Sequence, residues 1–158
     1  MIEGNACLVS TKNHEAHMNS IRLMKTYITF DEVEFEFRGV FESGIFTRGQ
    51  NIEELRKCLI DYTGSKHAFL MTSATTALWI SLKLVGVCKG DEVIVSDFSY
   101  PASANVIEDL GATPVFADVD LNTFNMLPSE LESKITEKTK AVMFVDALGN
   151  PTGVIEIK

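Results

Sequence analysis

The sequence predicts an α/β fold: a mostly parallel sheet with helices on both faces. Two patterns predict it. Four short apolar runs alternate with helical segments over residues 68–145, the rhythm of repeated strand–helix units. The runs also lack the apolar–polar alternation of a strand with one wet face, so each reads as a strand covered on both sides.

In chain order, a first amphipathic helix is expected from about Asp31 to Glu42, with Asp31 and Glu34 as a capping box and Val33, Phe37, Val40 and Phe41 as its stripe. Ser43-Gly44 stops it. A second helix starts near Asn51, with Glu54 at the capping-box position, and ends at Thr63-Gly64, where glycine suits a left-handed cap. Ala68–Met71 reads as a strand, and Ala74–Val85 as a helix apolar on nearly every side, hence buried. Gly90-Asp91 turns the chain into a strand at Glu92–Val95. Pro101–Leu110 follows as a helix, with proline in the tolerant first turn and Gly111 as its stop. Pro114–Ala117 is a strand closed by Asp118 and Asp120, Pro128–Ile135 a short helix, and Ala141–Val145 a closing strand that feeds Asp146–Gly153.

At 158 residues and 46% hydrophobic content the chain can bury a core. The net charge of −8 argues against nucleic acid or an anionic membrane as main partner. Three widely spaced cysteines, Cys7, Cys58 and Cys88, do not make a disulfide framework, so a reducing, cytoplasmic setting is expected. No apolar run is long enough to cross a bilayer. Residues 1–20 are polar and aperiodic and read as a poorly ordered leader, with residues 21–158 as the folded part. His14 and His17 fall in the leader, and their spacing does not make a zinc motif.

Ligands of parallel sheets sit beyond the carboxyl ends of the strands. The segments Thr72–Thr76, Ser96–Pro101, Asp118–Asp120 and Asp146–Pro151 all leave strands there. In Leu70–Trp79 an apolar run passes through small hydroxylated residues directly into a helix. This aims backbone N–H groups and hydroxyls at one spot on the positive end of a helix dipole, a place that suits phosphate. Ser73 reads equally as an ordinary helix cap. Glycine-rich nucleotide-binding patterns are absent, which disfavours a nucleoside triphosphate or a dinucleotide. Tyr100, after a strand, could stack on a flat heteroaromatic ring or be an ordinary loop aromatic. Asp118 and Asp120 could act as an acid–base pair, bind a hydroxylated ligand, or simply cap a strand end. Cys58 and Cys88 have no nearby histidine and read as structural.

An ordered set of segments then resembles the DegT/StrS-type sugar aminotransferases. It comprises Glu42-Ser-Gly-Ile-Phe-Thr-Arg-Gly49, Lys66-His-Ala with Thr72-Ser-Ala-Thr-Thr-Ala-Leu78, Gly90-Asp-Glu-Val-Ile-Val95, Phe98-Ser-Tyr-Pro-Ala-Ser-Ala-Asn105, Leu110 to Asp120, Thr139-Lys-Ala-Val142 and Gly149-Asn-Pro151. The resemblance implies the incomplete large domain of a fold type I aminotransferase and pyridoxal phosphate as cofactor. It implies that Ala74, Thr75 and Thr76 hold the cofactor phosphate and that Tyr100 stacks on its ring. It also implies a nucleotide-linked keto-sugar substrate, an amino donor such as glutamate, and a homodimer. Asp146 and Leu148 stand where many members carry histidine and an aromatic residue. The family's aspartate for the ring nitrogen and its cofactor-anchoring lysine fall beyond residue 158, so the expectation is an N-terminal portion that is inactive alone. Alternatives are a fragment of a related sugar dehydratase, a non-catalytic dimerisation module, or a nucleotide-binding α/β domain.

Overall fold

A computed structural model of the chain describes residues 26–158; the expected leader, with His14, His17 and Cys7, lies outside them. The described residues form two units, one ending at Cys58 and one running from Leu59 to Lys158.

The first unit carries α1 (Phe30–Ser43) and most of α2 (Gln50–Thr63), at whose Cys58–Leu59 step the units divide. The cap of α1 lies two residues before the expected position. The Thr29 amide and hydroxyl both donate to Glu32 Oε2, at 2.7 and 2.9 Å. Glu34 is occupied instead one turn further on, accepting from Arg38 at 2.7 Å. Asn51 and Glu54 likewise form no capping box, because α2 begins at Gln50 and Glu54 accepts from the Gln50 side chain. Gly44 closes α1 in the left-handed conformation (φ 65°), returning its amide to Val40 and Phe41 carbonyls. Neither helix buries a residue, and the expected stripe of α1 is open: Phe37 is 54% and Phe41 68% exposed.

In the second unit, α3 (Ala74–Leu84) leads to β1 (Glu92–Ser96), α4 (Ala102–Asp109), β2 (Thr113–Ala117), α5 (Pro128–Lys134), β3 (Thr139–Met143) and α6 (Val154–Ile157). The sheet is wholly parallel, in the order β2-β1-β3. Central β1 supplies Val93, Ile94 and Val95, all with no exposed surface. Val93 and Val95 face a cluster with Leu82 of α3 and Val106 and Ile107 of α4. Ile94 faces the other way, with Met126, Leu131 of α5 and Ile157 of α6. The helices thus cover both faces, as expected.

Connectivity accounts for that split. The chain steps from β1 to β2 in one direction, then back past β1 to β3. Right-handed crossovers in opposite directions place their helices on opposite faces, which puts α4 on one and α5 on the other. Pro114 has no N–H to give a ladder and is tolerated because β2 is an edge strand among the described residues. Gly111 ends α4 with φ 76°, and a Cβ there would meet Lys89 Cβ at 3.2 Å, so both backbone and space favour glycine.

Two expectations are corrected. Ala68–Met71 forms no strand. Extended backbone becomes a strand only through a ladder, and no described residue pairs with this run; Phe69 is 80% exposed. Nor is α3 buried all round. Only Leu82 is buried, Leu78 and Trp79 pack partly, and Leu84 is 82% exposed, because one helix face meets the cluster and the other meets no described residue.

Replacing Ile94 by alanine should cost about 2–5 kcal/mol, since its side chain is enclosed between the sheet and α5–α6. Urea unfolding would show the midpoint falling with an unchanged slope, whereas an unaltered midpoint would contradict the assignment of this cluster as core.

Candidate functional site

Helix α3 begins at a cap built by Ser73, which sits in extended backbone (φ −155°, ψ 155°). Its Oγ accepts from the Thr76 amide at 3.2 Å and lies 3.0 Å from Thr76 Oγ1, while its carbonyl accepts from Ala77 N. The first two amides of the helix, on Ala74 and Thr75, find no partner among the described residues. Such leading N–H groups have no intrahelical acceptor, and they carry the positive end of the macrodipole. Residues Ser73–Thr76 are all exposed. Ala74, Thr75 and Thr76 therefore present two free donors and a hydroxyl at an open helix N-terminus. This donor set fits a phosphate, and Ser73 is also the ordinary cap it resembled.

Topology sets where that end points. The segment 85–91 joins the last turn of α3 to the start of β1, and α3 packs along the β1 face. The helix runs back against the strand, so its N-terminus lies toward the carboxyl end of the sheet. Tyr100 leaves β1 at the same end. It is 79% exposed, and its carbonyl accepts from Ser103 N at 2.9 Å. Ser99 Oγ reaches Ser103 Oγ at 2.7 Å across the first turn of α4. β1 and β3 are neighbours, yet β1 leads to α4 on one face and β3 to α6 on the other. The Tyr100 loop and the Asp146–Gly149 loop thus follow neighbouring strands at the carboxyl end of the sheet, the end where parallel sheets bind their ligands.

Asp118 and Asp120 both accept hydrogen bonds from backbone amides just after them. Asp118 Oδ1 accepts from Val119 N at 2.8 Å, and Asp120 Oδ1 accepts from the amides of Asn122 and Thr123, both at 2.9 Å. The Asn122 N–H first, then the Thr123 N–H, hold the Asp120 carboxyl below its usual range. Asp91 Oδ2 accepts from the Cys88 amide at 2.9 Å and lies 3.5 Å from its Sγ, which raises the thiol above its usual value. Cys58 and Cys88 are both free and exposed. Among the described residues no cluster of acidic, histidine and cysteine side chains could hold a metal, and no helix is long and apolar enough to cross a membrane.

Sequence reasoning missed Asn125. It is 2% exposed and saturated: Nδ2 donates to the carbonyls of Asn150 and Thr152, both at 2.7 Å, and Oδ1 accepts from Ala147 N at 2.9 Å. All three partners lie 22–27 residues away, so no local pattern announces it. The preceding residue, Phe124, is held at φ 59°, a left-handed conformation that costs a non-glycine residue roughly 1–3 kcal/mol. Its ring lies 5.1 Å from that of Phe98, tilted by 35°. Leu148 is also left-handed (φ 54°) and 85% exposed.

The sequence profile of the DegT/DnrJ/EryC1/StrS aminotransferase family matches residues 29–158. The chain belongs to that family. It is 43% identical over 108 residues to the spore coat polysaccharide biosynthesis protein SpsC of Bacillus subtilis, spanning 68% of this chain and 28% of that protein. Among solved structures it matches Spr1654 of Streptococcus pneumoniae, assigned as a sugar aminotransferase and solved in PMP and PLP forms. Identity there is 37% and the TM-score 0.76, over 82% of this chain and about a third of the other. NtdA of Bacillus subtilis with bound PMP matches at 32% identity and TM-score 0.76, over 82% of this chain and 31% of that one. The chain thus spans about a third or less of the length of these relatives.

Because Asp120 is held below the usual carboxylate range, its support of the turn should be complete above the unfolded value of about 3.9 and fade as pH falls through the lower folded value. The amide shifts of Asn122 and Thr123 should report this titration, and Asp120→Asn, which keeps the acceptor oxygen, should abolish it. A titration at or above the unfolded value would contradict the assignment.

Proposed function

We propose that this chain is the N-terminal part of the cofactor-binding domain of a pyridoxal-phosphate-dependent aminotransferase acting on a nucleotide-linked keto-sugar, in amino-sugar or cell-surface polysaccharide biosynthesis. The observation that carries the reading is the open α3 N-terminus with free Ala74 and Thr75 amides, in a chain that belongs to this aminotransferase family. The PLP and PMP forms of Spr1654 and the polysaccharide role of SpsC support it.

In this reading Ala74, Thr75 and Thr76 receive the cofactor phosphate through two amides and a hydroxyl, at the end of a helix that favours anions. Tyr100 lies against the ring and fixes its plane. The cofactor, when bound, withdraws electrons from the bond to be broken, while the protein orients it and tunes it. Asp146 and Leu148, on the facing loop, border the substrate. Glutamate is the proposed amino donor. The free thiols of Cys58 and Cys88 suit a reducing compartment, and we place the protein in the cytoplasm.

None of the lysines among these 158 residues stands in the family's cofactor-anchoring motif, so we infer that the 158 residues alone do not catalyse transamination. Borohydride treatment with pyridoxal phosphate should give only scattered, substoichiometric lysine adducts by peptide mass mapping. A stoichiometric adduct at one lysine would sink the claim of inactivity.

We further propose self-association as a homodimer. Its support is the exposed apolar surface of α1, where Phe35, Phe37 and Phe41 are 83%, 54% and 68% exposed, more than isolated surface residues explain. Light scattering should show a dimer, and a well-behaved monomer at micromolar concentration would count against it.

A further inference from the structure

We propose that the Asp120–Asn125 turn is a positioning element that sets the Tyr100 loop and the Asp146–Gly149 loop together, with Phe124 and Asn125 as its two contact residues. The proposal rests on the functional reading above, in which those loops border the cofactor ring and the substrate.

The two loops leave different strands, and a local device on either one could not fix their mutual spacing. The turn after β2 touches both. Phe124 stacks on Phe98, two residues before Tyr100. Its neighbour Asn125 binds Ala147, Asn150 and Thr152 through both ends of its amide. An asparagine that spends two donors and its acceptor on three backbone groups while 2% exposed leaves its partners little freedom, because unpairing any of them would strand a buried polar group.

The turn is itself braced. Asp120 Oδ1 holds the Asn122 and Thr123 amides, Phe124 N donates to the Asp120 carbonyl at 2.8 Å, and Asp120 N donates to the Asn125 carbonyl at 3.0 Å. Met126, next along, is 1% exposed in the core and bridges back to Val119. The left-handed backbone at Phe124 (φ 59°) is held between these turn hydrogen bonds and the buried Asn125 and Met126. Consecutive side chains of one braced turn are thereby directed to separate loops. Asn125 and Phe124 act on bound ligand only through those loops.

Two variants of the full 158-residue chain test this. Phe124→Gly removes the ring but suits the positive φ, so it preserves the turn. Asn125→Leu is close in volume and removes both donors and the acceptor. Without ligand, hydrogen exchange at Ala147 N should accelerate in Asn125→Leu, which leaves that amide only the Val145 carbonyl, while Thr76 N, bonded to Ser73, stays as in the parent. Two probes then separate ring from phosphate, read by amide shifts of Thr75 and Thr76. For pyridoxamine 5′-phosphate, Phe124→Gly should weaken binding by about tenfold, the scale of one aromatic contact. For inorganic phosphate, binding should be unchanged. Unaltered Ala147 exchange overturns the proposal, as does an equal loss for both probes or no loss for either. If the parent chain binds neither probe, the functional reading fails, and with it the role proposed for the turn, whatever the exchange result says of the tie itself.

Discussion

The ladder of β1 is the interaction on which the 59–158 unit depends. This one strand satisfies backbone groups on both sides, with β2 and with β3, and sends side chains with no exposed surface into two separate clusters. Removing such a strand would leave two edge strands with nothing to join them. It also sets which segments gather at the carboxyl end of the sheet, because α3 feeds β1, the Tyr100 loop leaves it, and the closing-strand loop stands beside it.

The order β2-β1-β3 then does more than arrange strands. A reversal of direction across a central strand forces successive crossover helices to opposite faces. The loops at the carboxyl end of the strands carry groups in unusual states: a helix N-terminus whose first amides have no partner among the described residues, a tyrosine mostly in solvent, and left-handed Phe124 and Leu148. Regular packing supplies the frame, and departures from regular packing collect at one end of it. The first unit differs again. Its helices are paired along their own surfaces, and α1 is capped at both ends, yet neither helix buries a residue. Local hydrogen bonding can shape a helix without the tertiary burial that usually supplies most of its stability.

The helices and sheet strands from α1 to β3 were legible in the sequence to within one or two residues, because strands and helices differ in apolar period and because Gly44, Gly64, Gly90 and Gly111 mark stops that chain sterics demand. The start of α3 at Ala74, with Ser73 as its cap, was legible too, since a helix start is a local event. The alternation of runs sufficed for a parallel sheet, and the motif order sufficed for the family. What misled was inference from apolarity to burial. Ala68–Met71 and α3 have the composition of covered elements, but coverage depends on a neighbour, and no local pattern specifies one.

The sequence by itself therefore determined the helices and paired strands, their stops, the capped start of α3 and the DegT/DnrJ/EryC1/StrS aminotransferase family, all of which rest on contacts between residues a few positions apart or on ordered motifs. Tertiary structure alone decided that β1 is central, that Ala68–Met71 finds no ladder partner among the described residues, and that Asn125 ties a loop 22–27 residues away. The reason is physical. A side-chain amide has no preferred distant partner until the fold excludes water and leaves particular N–H and C=O groups within its reach.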